Sequence, residues 1–107
     1  HMLENIVCLE LIRRGWSVFV GKVGPAEIDF IAQKNMNTVY YQVSLTILDE
    51  ATRRRELEPL EKVDDSYPKI LLTLDSLPQS DHKGIVIKNV VDWLLEEDDG
   101  FVTVQNV

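Results

Sequence analysis

The spacing of apolar positions changes along the chain, and each change marks an element. Residues 3–14, Leu-Glu-Asn-Ile-Val-Cys-Leu-Glu-Leu-Ile-Arg-Arg, carry apolar side chains at 6, 7, 8, 9, 11 and 12. That spread covers most of a helical circumference, so the spacing predicts a largely buried helix, stopped by Gly15. Trp16 to Gly21 reads as a short strand, with Trp16, Val18 and Val20 on one face and Ser17 and Phe19 on the other. Gly21-Lys22-Val23-Gly24-Pro25 then turns the chain. Between Glu27 and Ser44, two runs rich in Ile, Phe, Val and Tyr flank the polar tetrapeptide Lys34-Asn35-Met36-Asn37. This is the pattern of a β-hairpin with a loop of two or four residues. Ile28, Phe30 and Ala32 alternate with Glu27, Asp29 and Ile31 on the outgoing strand. On the return strand Val39, Tyr41, Val43 and Leu45 alternate with Thr38, Tyr40, Gln42 and Ser44.

Asp49 is a good N-cap, and a helix is expected from about 50 to 57, ended by Pro59, which starts a second short turn. The continuous apolar run Lys69-Ile-Leu-Leu-Thr-Leu predicts a central strand buried on both faces. Residues 75–83 read as a polar loop and Gly84–Lys88 as a short strand. Asn89 caps a last helix through Trp93 and Leu95, whose end should fray where Glu96-Glu97-Asp98-Asp99 oppose the helix dipole. Residues 101–107 have strand character without an evident place. The order helix, three antiparallel strands, helix, strand, strand, helix fits an α/β fold: a mixed sheet with helices on both faces.

The chemistry concentrates in the hairpin. Asp is poor in strands and costly to bury, yet Glu27 and Asp29 share one predicted face, opposite a strand that offers Gln42 and Ser44. For Asp29 and Gln42 to converge, the hairpin loop must hold an even number of residues. Glu4 lines up with Cys8 and Leu11 on an apolar stripe, as either a frayed first-turn carboxylate or a site residue. Glu10 sits four residues before Arg14, the usual arrangement of a surface ion pair. Arg53–Arg55 form a solvated, ion-paired face, or one of them leans over the pocket.

Composition narrows the classes. A chain of 107 residues with 45% hydrophobic and 27% charged content is an ordinary globular domain. A net charge of −7 counts against a stand-alone nucleic-acid binder, which usually shows a basic face. No stretch approaches a membrane span. The single cysteine, Cys8, excludes an internal disulfide and fits a reducing, cytoplasmic setting. There is no zinc-type Cys/His spacing and no phosphate-loop motif. His1-Met2 reads as a tag remnant, leaving one domain over 3–107. Its abrupt entry into a helix points to excision from a longer protein.

Glu4 on the first helix, Asp29 on the second strand and Gln42-Val43-Ser44 on the third resemble the PD-(D/E)XK nuclease core in order and spacing. That resemblance implies a restriction-endonuclease-like αβββαβ fold. More narrowly, the sequence is similar to the C-terminal domain of a family of bacterial and archaeal AAA+ type ATPases. The similarity lies in Leu3-Glu4-Asn5-Ile6-Val7, Glu10-Leu11-Ile12-Arg13-Arg14-Gly15, Val20-Gly21-Lys22-Val23-Gly24, Glu27-Ile28-Asp29-Phe30 and Tyr41-Gln42-Val43-Ser44. It continues through Thr52 to Leu60, Tyr67 to Asp75 and Val90 to Leu95.

In such nucleases the helix acid, the Asp and the Glu of Glu-X-Lys bind Mg²⁺, while the Lys helps activate water. The resemblance therefore puts Glu4, Asp29 and Gln42 at metal positions, Asp29 and Gln42 at catalytic ones, and Ser44 where the lysine would stand. One anionic ligand and the ammonium are missing, so Mg²⁺ binding should be weak. The loss of a positioned cation should remove several kcal/mol of transition-state stabilisation. The expectation is a degenerate nuclease-fold accessory or interaction domain whose partner is an upstream ATPase module. The alternatives are a divalent-metal-dependent DNA or RNA nuclease with a rearranged site, and a structural α/β domain in which Glu27 and Asp29 only cap or pair.

Overall fold

The computed structural model of the protein describes residues 2–96. Its organising feature is the tight turn at Asn35 and Met36, both in the left-handed region at φ 49° and 69°. Two consecutive residues of that kind make the hairpin turn whose twist suits its flanking strands. The loop thus holds two residues, and β2 (Ala26–Lys34) pairs with β3 (Asn37–Ser44) from Lys34–Asn37 to Phe30–Tyr41. On the other side of β2 lies the antiparallel β1 (Ser17–Val23), which follows α1 (Met2–Arg13) through Gly15 at φ 92°.

After β3 the chain crosses the sheet as α2 (Glu50–Glu61) and returns in β4 (Lys69–Thr73), parallel to β3. A short β5 (Ser80–His82) leads into β6 (Ile85–Asn89), which is parallel to β4, and α3 (Val90–Leu95) follows at once. The strand order is β1-β2-β3-β4-β6-β5, a mixed six-stranded sheet. Leu3, Val7 and Leu11 of α1 pack with Val90 and Trp93 of α3 against Phe30, Ala32, Val39, Tyr41 and Val43. Leu57 and Leu60 of α2 cover the other face with Ala26, Ile28, Tyr40, Leu71 and Ile87. The fold is α/β with helices on both faces, as the apolar pattern predicts.

Several local expectations need correction. The first helix is not largely buried: Leu3, Val7 and Leu11 form one inward stripe, while Ile6, Leu9 and Ile12 are exposed on the far side. The pairing of Phe19 with Ile31 but Gly21 with Ile28 leaves Val20 alone against Asp29 and Phe30. An extra residue in β2 breaks its alternation there. Ile28 consequently packs on the α2 face and Phe30 and Ala32 on the α1 face, instead of sharing one. Val20, expected beside Trp16 and Val18, is 76% exposed.

Pro59 does not divide the second helix. Lacking an N–H, it only frees the Arg55 carbonyl in the last turn, and α2 runs through to Glu61. The loop expected over 75–83 contains β5, an all-polar edge strand without an apolar pattern to betray it. Both caps stand as expected: Asp49 accepts from the Thr52 N–H at 3.0 Å and Asn89 from the Asp92 N–H at 3.0 Å. The strand character of 101–107 and most of the acidic run lie outside the described residues.

Candidate functional site

The β2–β3 ladder ends at Phe30–Tyr41, and one further step of that register sets Asp29 across from Gln42. There side chains take over from the backbone. The Asp29 N–H donates to Gln42 Oε1 at 2.7 Å, and the Val43 N–H donates to Asp29 Oδ2 at 2.9 Å. Each residue thus satisfies a backbone group of the opposite strand just beyond the last pair of the β2–β3 ladder, beside the bulge that β2 makes against β1. Gln42 is 4% exposed, and its Nε2 also donates to the Glu56 carbonyl of α2 at 3.4 Å. Ser44, one residue beyond Val43, donates its hydroxyl to the Thr46 carbonyl at 2.9 Å.

A cleft of about 510 Å³ opens beside this pair, lined by Glu4, Val20, Lys22, Glu27, Asp29, Gln42, Arg55 and Glu56. Three elements bring carboxylates to it. Glu4 comes from the first turn of α1, Asp29 from the bulge in β2, and Glu56 from the middle of α2. Burial chiefly pushes the Asp29 carboxyl above the usual aspartate range. The Val43 N–H opposes that rise and the charge of Glu4 adds to it. Burial likewise raises Glu56, helped by the charges of Asp29 and Glu4 and opposed by Arg55. Like-charge repulsion is present but second to desolvation.

The sequence-predicted residues therefore meet unequally. Glu4, Asp29 and Gln42 border one cleft, with Glu4 and Asp29 close enough to repel electrostatically. Glu27 is exposed at the rim, in a long 3.9 Å ion pair with Lys22, because the bulge separates its side chain from that of Asp29. One arginine of the triplet, Arg55, does lean over the cleft, at 4.0 Å from Glu56. Glu56 itself escapes sequence reasoning, since it lies within a charged run. Its position one turn before the buried Leu60 is the available clue. Among the described residues, no group of three or more His, Cys, Asp or Glu side chains is arranged to hold a metal ion.

Glu10 and Arg14 differ from the surface pair that their spacing suggests. Arg14 is 8% exposed and its guanidinium lies 4.6 Å from the centroid of the Trp93 ring. It donates to Glu10 at 2.7 Å and to the carbonyls of Trp93 and Glu96 at 2.9 and 3.2 Å. Arg13 holds the other side of Glu10, and these donors lower the Glu10 pKa to about 2. The pair ties α1 to the end of α3.

No helix among the described residues is long and apolar enough to cross a membrane. No family model matches the sequence. An uncharacterized protein of Haemophilus influenzae is 46% identical over 96 residues, which cover 90% of this chain and 23% of that relative. The chain therefore spans less than a quarter of the length of the relative it matches.

Proposed function

We propose that this chain is a catalytically degenerate nuclease-fold domain that serves as an accessory or interaction module of a larger ATPase. One observation carries this reading. The side chains at the positions nuclease chemistry would use are occupied in holding the backbone together. Gln42 Oε1 receives the Asp29 N–H, Asp29 Oδ2 receives the Val43 N–H, and Ser44, at the lysine position, is bonded to Thr46. A restriction-endonuclease-like core is supported by the order α1-β1-β2-β3-α2-β4 with β4 parallel to β3. The small share of the relative covered by the match suits a module within a longer protein.

A second reading has its own support. Glu56 adds a carboxylate that the nuclease pattern does not anticipate, so a rearranged nuclease would draw on Glu4, Asp29 and Glu56, which line one cleft but do not stand as a group arranged around a metal ion. Isothermal titration with Mg²⁺ and gel assays on plasmid and single-stranded DNA in Mg²⁺ or Mn²⁺ separate the two. The degenerate reading expects affinity no better than roughly millimolar and intact DNA. Micromolar binding with cleavage lost in Asp29→Ala reverses the choice. The ATPase context is tested separately, by whether the reading frame upstream of Leu3 encodes a P-loop.

A further inference from the structure

The two edges of the sheet are built differently. At one edge β5 is three residues long, Ser80-Asp81-His82, with a charge at its centre. Short, charged edges are the usual protection against pairing with another chain. At the other edge β1 is seven residues long, Ser-Val-Phe-Val-Gly-Lys-Val, and pairs only with β2 among the described residues. Its middle is apolar and open on both faces: Phe19 is 50% and Val20 76% exposed. Lys22 is the strand's one charged residue and stands towards its end. The outward N–H and C=O groups of such a strand are complemented by another strand.

We propose that β1 is a homodimerisation edge, joining β1 of a second copy in antiparallel fashion about a two-fold axis at Phe19. The sequence of β1 suits this occupant and this register. Residues directly opposed across an antiparallel pair lie on the same face, so the dyad must pass through a residue position. Centred at Phe19, the pairing sets Phe19 against Phe19, Val18 against Val20 and Ser17 against Gly21. Aromatic and β-branched pairs of this kind stabilise a sheet. The two copies of Lys22 then lie six residues apart along the pair, about 20 Å at the rise of a strand. That exceeds the screening length of roughly 8 Å at physiological salt, so no like charges oppose each other.

The contact is short, so association is expected to be weak and concentration-dependent. Sedimentation velocity on the full chain between roughly 10 μM and 1 mM should show a monomer–dimer equilibrium. Phe19→Lys places two ammonium groups face to face and should weaken dimerisation roughly tenfold or more, whereas Asp81→Lys on the other edge should leave it unchanged. Phe19 is half-exposed, so its loss spares the core. A second measurement uses the Cys8→Ala background. Phe19→Cys should form a disulfide-linked dimer on mild oxidation, because directly opposed Cβ atoms approach to about 4.5–5.5 Å. Lys22→Cys should not. A wild-type chain that stays monomeric to 1 mM overturns the proposal. So does a dimer indifferent to Phe19→Lys, or equal cross-linking at 19 and 22.

Discussion

The two ends of α1 hold carboxylates in opposite circumstances. Near its C-terminus Glu10 lies against Arg13 and Arg14, and its pKa falls to about 2. At its N-terminus Glu4 faces Asp29 and Glu56, whose carboxyls are pushed above their usual range by burial first, then by the charge of Glu4 on both and of Asp29 on Glu56. Arg14 is nearly as buried as the core Phe30, and its contacts compensate it: a carboxylate, two carbonyls and an aromatic face. The cleft at the other end has cations only at its rim, with Lys22 and Arg55 both largely exposed. A charge cluster that serves stability is paired throughout. One left crowded and under-compensated costs stability, and such clusters gather at functional sites more often than elsewhere.

The largest effect should come from breaking the compensated end. Arg14→Met removes the donor to the Trp93 and Glu96 carbonyls while leaving an apolar side chain to cover the indole. The last turn of α3 then loses its cationic cap. A loss of about 3 kcal/mol is expected, the scale for removing one partner of a buried charged network. Urea denaturation measures it. A loss below 1 kcal/mol would mean that the Glu10–Arg14 cluster is no more than the surface pair its spacing suggests.

Next comes the hinge of the candidate site. Asp29→Ala leaves the Val43 N–H without its acceptor just beyond the end of the β2–β3 ladder. An unsatisfied buried donor costs about 1–3 kcal/mol. Relief of repulsion with Glu4 and Glu56 acts the other way, so the net loss should fall below that of Arg14→Met. If Asp29→Ala proves stabilising, repulsion outweighs the hydrogen bond and Asp29 is retained for function alone.

These residues also show what the sequence makes visible. The hairpin, its even loop, the central β4 and the two N-caps are local matters, written in turn residues, alternation and cap chemistry. The meeting of Asp29 with Gln42 follows from the loop parity alone. The bulge at Asp29 and Phe30 does not, because Ile28, Phe30 and Ala32 keep a regular alternation, and only pairing with β1 shows that the faces switch. Arg14 looks like half of a solvent-exposed i,i+4 pair until α3 arrives from 79 residues away. Glu56 is hidden by its charged neighbours, and β5 by having no apolar residue at all. What was illegible is long-range: contacts between elements that no spacing along one element records.

The smallest expected effect is a pH dependence that tests the comparison itself. Asp29 and Glu56 have folded-state pKa values above their ordinary ones. Between the two values the native state holds more protons than the unfolded chain, so stability falls as pH rises through that window. Glu10 has the opposite sign: its contribution is complete above its ordinary 4.5 and is lost as pH falls towards 2. Asp29→Asn retains an amide oxygen for the Val43 N–H and removes the anion together with its repulsion of Glu56. Over the range from pH 3.8, the ordinary aspartate value, up to about 8, the variant should match the wild type at the acid end and become slightly the more stable as pH rises. Glu56→Gln should behave likewise, with its backbone bond to Gln42 untouched. Denaturation midpoints measured across that range decide the matter. A gap between variant and wild type that stays constant with pH would show that the cleft carboxylates are solvated individually, and the contrast between the two ends of α1 would fail.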